Sequence, residues 1–314
     1  MMENENTQLG LMMRGDKLLF VEAAMTQPPR LLTADVMHLS VPFDVQAFGD
    51  QDVAAHYSTT INQLLDRFAI SAKRASVCLD RRLVLLKRLK VDQDMREMDI
   101  RQQIEWELEQ VLVAPRDEYH ANYEKIKHDR DPYDQIVVAV VRKAIVSFLQ
   151  DIFKSTPLSL NQVDVDLLAA LRGLGILKVE PRPLAALIEI EPAAAAVSLL
   201  KNQRFLSQGE IKFAQYPLNE ENSEQIATLI NDEILRQLDA LGDEVLLKNI
   251  EQILLLNSGA PTGVIYSLQR LQRNAMVQMI DPLERMDHAL SLEAEQLIKD
   301  NPNRFLPLLG LFRA

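Results

Sequence analysis

Residues 184–190 are apolar with one interruption, at Glu189, which is the pattern of a strand buried on both faces. A second apolar run follows at 196–200. Lys201, Asn202 and Gln203 then read as a turn, and Arg204–Ser207 as a third strand. The same pattern stands at the N-terminus. Gln8–Leu11 precedes a turn near Arg14, Gly15 and Asp16, and a strand resumes over Lys17–Ala23. One supersecondary unit used twice predicts a chain of two related halves.

Between these units the period changes. Arg30–Leu39 reads as a strand, and Pro42–Asp50 as a loop. Val53, Tyr57, Ile61, Leu64, Leu65 and Phe68 recur at three- and four-residue spacing, which predicts a helix over 51–68. Ala75–Leu79 is a short strand. Residues 82–157 read as a module of their own. It starts with a strand over Arg82–Lys90 and continues with a helix to about Val111, capped by Asp92 or Asp94. That helix has Met98, Ile104, Leu108, Val111 and Leu112 inward and ends before Pro115. A strand over Glu118–Ile126, a charged turn over His128–Asp134, a buried strand over Gln135–Val141 and a helix over Ala144–Lys154 complete it.

Residues 158–180 return to the first half. There Val163–Asp166 lead a helix that stops at Gly173 and Gly175. After the second hairpin unit, Asn222 and Ser223 cap a long helix. Ile250–Leu256 is a buried strand, Val264–Gln272 a helix, Ala275–Ile280 an edge strand and Phe305–Phe312 a short apolar helix.

The chain of 314 residues has room for about two domains. With 47% apolar and 25% charged residues it is ordinary globular material. A net charge of −11 disfavours nucleic acid and anionic lipid as partners. The densest basic cluster, from Arg81 and Arg82 to Lys90, alternates with leucines and reads as the exposed face of a strand. Cys78 is the one cysteine, so no internal disulfide forms, and its apolar setting makes it a small buried hydrophobe. The acidic start is unlike a signal peptide, and no apolar run is long enough to span a bilayer. A cytoplasmic protein without direct membrane insertion is expected.

Candidate chemistry is sparse. His38, His56, His120, His128 and His288 are dispersed, without metal-ligand spacing or a neighbouring nucleophile. Glu105, Glu107 and Glu109 alternate along a helix and cannot share one face as a carboxylate pair. Trp106 reads first as a packing residue and second as a partner anchor, since aromatic residues dominate interface hot spots. The apolar end at 305–312 lacks the basic face of a membrane-surface helix and is expected to dock on the second half.

Several segments, taken in order, carry a family resemblance. They are Met95–Met98, then Ile104–Pro115 with its Trp106-Glu107-Leu108-Glu109 pattern, then the Tyr123 strand. Val138–Lys143, Val163–Asp166, Leu254–Gly259 and Leu309–Arg313 extend the match over nearly the whole chain. This resembles the type IV pilus assembly protein PilM family, whose members are similar to the cell-division protein FtsA. The resemblance implies an α/β, actin-like ATPase fold: two related lobes with an inserted FtsA-type subdomain and a reduced second lobe. It divides the chain into 1–81 with 158–180 (first lobe), 82–157 (insert) and 181–314 (second lobe).

The departures from the family pattern bear on function. Where the family's first phosphate loop carries an acidic residue, a glycine and a following lysine, this chain has Met12, Arg14 and Leu19. Its second loop, an Asp-Ile-Gly with small hydroxyl residues in the family, is Glu189-Ile190-Glu191-Pro192 followed by alanines. Glycine lets backbone N–H groups approach a phosphate. Glu191 brings a negative charge, Pro192 removes a donor, and a carboxylate about 4 Å from a phosphate repels it by one to several kcal/mol. Of the adenosine-loop glycines only Gly259 remains, after Asn257 and Ser258. The helical subdomain that covers adenine in the family is missing or reduced to a stub between Ile211 and Ser223.

Gly15, Glu189, Ser258, Gly259 and Gly263 are thus expected as remnants of a nucleotide site. No catalytic residue, no metal and no tightly bound cofactor are expected, while weak ATP–magnesium binding stays open. The resemblance implies a cytoplasmic adaptor of the type IV pilus inner-membrane platform. It would bind the cytoplasmic peptide of a PilN-like membrane protein in a groove between the first lobe and the insert, with Leu85, Trp106, Val111 and Leu112 on its wall. Pilus assembly ATPases and a second copy of the chain are further partners to consider. The alternatives are an active ATP-binding actin-like protein and the cytoplasmic domain of a type II secretion component.

Overall fold

The computed structural model describes residues 6–126, 133–242, 249–257 and 259–312. The expected turn at His128–Asp134 lies mostly outside them. The chain divides into two compact units, Met1–Glu22 with Val36–Leu167, and Ala23–Asp35 with Leu168–Ala314.

The first unit is built on β1 (Thr7–Ala24), β2 (Arg30–Phe43), α1 (Gln51–Arg67) and β3 (Arg74–Leu79). Eighteen extended residues would reach about 60 Å, far more than a strand in a domain of this size. Gly15, at φ +57° at the start of the exposed stretch 15–17, divides β1 into two shorter segments. The segment before it runs parallel to β3, Leu9 opposite Ala75 and Met12 opposite Cys78. Asp50 caps α1 by accepting from the backbone N–H of Asp52 (2.9 Å) and Val53 (3.2 Å). Tyr57, Ile61 and Leu64 turn inward from this helix. The Tyr57 hydroxyl donates to the Pro42 carbonyl at 2.9 Å, and burial pushes its pKa up to about 12.

The insert begins at β4 (Val84–Asp92) and continues through α2 (Glu97–Glu109), β5 (Tyr119–Ile126) and β6 (Tyr133–Arg142). The three strands form one antiparallel sheet with β6 in the middle. Ile100, Ile104 and Leu108 of α2 meet Leu89, Val91, Ile136, Val138 and Val140, so the insert has a core of its own. Met98 and Val111, expected inward, are 58% and 45% exposed. α3 (Lys143–Lys154) leads back to β7 (Ser159–Val165), which lies parallel to β3 at the edge of the first sheet. Strand thus stands where a helix lead-in is expected. α4 (Asp166–Ile176) follows and runs through Gly173 and Gly175 rather than stopping there.

The second unit repeats the plan. β8 (Leu184–Glu191), β9 (Ala194–Lys201) and β10 (Arg204–Lys212) form an antiparallel meander. The β9–β10 turn has both central residues, Asn202 and Gln203, at positive φ, the geometry that matches strand twist in a two-residue hairpin. α5 (Ser223–Leu241) crosses over to β11 (Gln252–Asn257), and α6 (Thr262–Leu271) to β12 (Met276–Met279). Both strands are parallel to β8, in the order β10-β9-β8-β11-β12. Meander, helix, parallel strand, helix, parallel strand is also the course of the first unit, with the insert placed between β3 and α3. Between β10 and α5 the chain holds only turns and a short 3₁₀ segment. The cap at the start of α5 differs. Asn222 makes no side-chain cap, and Asn219 accepts from the Asn222 N–H at 3.0 Å instead.

β13 (Asp287–His288) pairs with Arg30 and Leu31 of β2, and α7 (Leu292–Asp300) leads into α8 (Pro302–Leu309). Phe305 and Phe312 are fully buried, as the docked apolar helix requires. α8 meets α4 through glycines. A Cβ on Gly173 would stand 2.6 Å from the Leu306 carbonyl, and one on Gly310 would fall on the Ala169 carbonyl.

Gly310→Ala is therefore expected to destabilise the protein by at least about 2 kcal/mol. Gly175→Ala, a helical glycine with open space around it, is expected to be neutral or to stabilise by up to about 1 kcal/mol. Chemical denaturation of the two variants checks the contrast. Leu108→Ala, at a fully buried site of the insert, is expected to cost about 2–5 kcal/mol. The loss should appear as faster hydrogen exchange in β4, β5 and β6 while β8 and β9 stay protected.

Candidate functional site

The first loop has turned its side chains to structure. Met12 and Leu19 are each 1% exposed, so apolar packing fills two of the positions where the family pattern has charge. Gly15 is exposed, with nothing within 4 Å of where a Cβ would stand. Arg14 reaches Asp80 instead, Nε to Oδ2 at 2.9 Å. Asp80 sits at the end of β3 and opens a 3₁₀ turn over Arg81–Leu83. Its Oδ1 accepts from the Arg82 N–H and from Arg82 Nε, both at 2.9 Å. Beside it, Asp166 accepts from Arg81 Nε at 3.0 Å and from the Leu167 N–H at 2.6 Å.

Burial on its own would raise the Asp80 carboxyl. The hydrogen bonds from Arg82 and the charge of Arg14 outweigh it and hold Asp80 below the ordinary carboxylate value. Burial does win at Asp166, which is raised against the pull of Arg81, and the charge of Asp80 adds to the rise. Three guanidinium groups and two carboxylates therefore pair with one another here. Arg81 and Arg82 are not the exposed face of a strand, as their alternation with leucine suggests. The Asp80 carboxylate draws both residues into a turn, and Arg81 keeps only 12% of its side chain exposed.

In the second unit, β8 ends at Glu191, which pairs with Ala194 across a two-residue turn of Pro192 and Ala193. Glu189 is buried, opposite Ala196 on one side and Leu256 on the other. The Glu191 carboxylate accepts from Asn303 Nδ2 at 3.0 Å, which ties the turn to the start of α8. No side chain from Pro192 to Ala196 carries a hydroxyl. Gly259 is exposed at φ +87°, and Ser258 lies outside the described residues. Gly263 has a packing role. A Cβ there would stand 2.7 Å from Ser223 Oγ, where α6 passes the start of α5. Among the described residues no cluster of His, Cys, Asp or Glu could hold a metal ion, and no helix is long and apolar enough to cross a membrane.

The insert presents a different surface. Trp106 is 60% exposed, because it stands two residues from both Ile104 and Leu108 and points away from the sheet they cover. It is not a core residue. Leu85 is 38% exposed on β4, an edge strand, and Leu112 is half-buried against the core of the insert. Val111 and Val113 follow α2 at 45% and 93% exposure. Leu85, Trp106, Val111 and Leu112 are the expected surface residues; Val113 and the Arg14–Asp80–Asp166 cluster are not among them. The signal for that cluster was an Asp-Arg-Arg run at a strand end.

The family described as type IV pilus assembly protein PilM matches residues 31–228. A solved PilM–PilN type IV pilus biogenesis complex is similar in fold, with a TM-score of 0.71 at 19% identity, covering 98% of this chain and 97% of that one. A Bacteroides thetaiotaomicron protein with an actin-like ATPase fold has a TM-score of 0.50 at 9% identity, over 97% and 96% of the two chains. The cytoplasmic domain of EpsL, an inner-membrane component of the Vibrio cholerae type II secretion system, also has a TM-score of 0.50, at 10% identity over 98% and 96%. Comparison with curated proteins gives no match. The fold is that of the actin-like ATPases, and since the family match spans more than half of its length, the chain belongs to the type IV pilus assembly protein PilM family.

Proposed function

We propose that this protein is a non-hydrolysing adaptor of the type IV pilus inner-membrane platform. It holds the cytoplasmic tail of a PilN-like membrane protein on the insert and is kept at the inner face of the membrane by that partner. Family membership and the fold shared with a PilM–PilN complex support the partner. The observation that carries the non-hydrolysing part is the first loop. Its arginine is committed to a buried carboxylate, and its other two key positions lie in the apolar core. A triphosphate needs converging N–H donors or free cations, and these side chains offer it neither. The second loop adds a proline and a carboxylate where such donors would have to be.

The partner surface combines an edge strand with half-exposed apolar side chains. An extended peptide can add to the edge while its alternate side chains enter apolar pockets. Leu85 and Leu112 are placed for that role.

Two measurements test the reading. Incubation with ATP and magnesium is expected to release no more phosphate than buffer alone, and calorimetry to give a Kd no tighter than about 1 mM. Tight nucleotide binding would remove the non-hydrolysing part. Titration with the synthetic tail of the PilN-like protein from the same organism is expected to give saturable binding. Leu85→Asp should weaken it at least about tenfold, near 1.4 kcal/mol, without lowering the unfolding temperature. A tail that does not bind at all would overturn the adaptor reading.

A further inference from the structure

Exposed large apolar side chains are not spread evenly over the first unit. Among the described residues Val45 stands alone outside the insert, whereas Leu85, Met98, Trp106, Val111, Val113 and Tyr133 all belong to it. The charge around them is equally uneven. Residues 97–118 hold seven carboxylates against two guanidinium groups. Four of those carboxylates are neutralised locally: Glu97 by Arg101, Asp99 by Arg96, Glu105 by Arg116 and Glu107 by Lys87. Glu109, Asp117 and Glu118 are exposed and have no ion pair among the described residues. Glu109 lies one helical turn beyond Trp106 and therefore on the same side of α2. No described guanidinium covers the Trp106 ring. The ion pair of Arg116 with Glu105 holds the acidic turn at Asp117 and Glu118 against α2, and an exposed indole with Glu109 one turn away is a receptor for a cation on a partly apolar stem. The ring attracts the charge through its quadrupole, and the carboxylates through Coulomb forces.

We propose that the outer face of α2, Trp106 with Glu109 and the acidic turn at Asp117 and Glu118, binds a Lys/Arg-rich, membrane-proximal stretch of the partner tail, separately from the strand-edge contact at Leu85. This rests on the adaptor reading above and adds the chemistry of the second contact. The cytoplasmic flanks of membrane spans carry an excess of Lys and Arg, so a tail leaving the bilayer brings the charge this surface lacks. The two contacts differ in kind. The one at Leu85 is apolar and indifferent to salt, while the one at Trp106 depends on salt and sets the association rate. Arg or Lys stacked on the indole leaves its other donors free for Glu109.

Trp106 is the single tryptophan of the chain, so its fluorescence reports this contact directly. The full chain is titrated with the synthetic tail and with the same tail carrying Gln for every Lys and Arg. Each titration is followed by fluorescence and calorimetry at about 50 and about 300 mM NaCl. The native tail is expected to change Trp106 emission and to lose about tenfold in affinity between the two salt concentrations. The Gln tail is expected to bind more weakly at low salt and to leave the emission unchanged. Glu109→Lys with Glu118→Lys, both exposed sites, should reproduce the behaviour of the Gln tail, with unchanged circular dichroism showing that the fold is kept. Binding that persists without an emission change, without salt dependence and at equal affinity for both tails overturns this proposal and leaves the adaptor reading standing. Absence of binding by either tail at both salt concentrations overturns the adaptor reading itself, and this contact with it.

Discussion

A carboxylate removed from water must be met by cations, and at Asp80 that requirement decides what the first loop can do. Asp80 is 6% exposed and is held by Arg14 and Arg82. Removing one partner of such a buried pair costs about 3–5 kcal/mol, because a charge is left without compensation. Arg14 is therefore not a free cation waiting for an anion. The same pair draws the chain after β3 into a short turn and so fixes where the insert departs. Asp166, raised by burial and held by Arg81, does the equivalent at the end of β7, where its carboxylate also caps the start of α4.

The two-halves architecture was legible because the leading strand of each meander, β1 and β8, is buried on both faces over most of its length. Continuous apolar runs such as 184–190 need no alternation to be read as strands. The tight turns announced themselves too, through Gly15 and through Asn202, residues that tolerate positive φ. β7 did not announce itself. Its Ser159, Asn161 and Gln162 are exposed because it lies at the sheet edge, and a half-solvated edge strand reads like a loop. β13, two residues long, offers no period at all.

Other misreadings have a common cause, which is tertiary contact overriding local pattern. Arg81 and Arg82 alternate with leucine as a strand face would, yet a neighbouring carboxylate folds them into a 3₁₀ turn. Gly173 looks like a helix stop, but it lies within α4 because a close approach to Leu306 requires the missing side chain. The inward face of α2 was read over too long a span. Ile104 and Leu108 face the sheet as expected. Met98 stands two residues before the buried Ile100 and so on the other side of the helix, and Val111 lies beyond its last turn; both end up in water.

The departures from the family's loop pattern could be read from residue types alone, since proline has no N–H and alanine no hydroxyl. The exposed surface of the insert could not, because a tryptophan in a helical period is ambiguous until the buried face is known. Once Ile100, Ile104 and Leu108 are seen to cover the sheet, Trp106 is left on the opposite side of the same helix. A tryptophan buries about 150–250 Å² when it packs, and here more than half of it contributes nothing to folding. A small module that covers its sheet with three residues and leaves its largest side chain in water has apolar area in reserve. Binding a partner is the process that can use it.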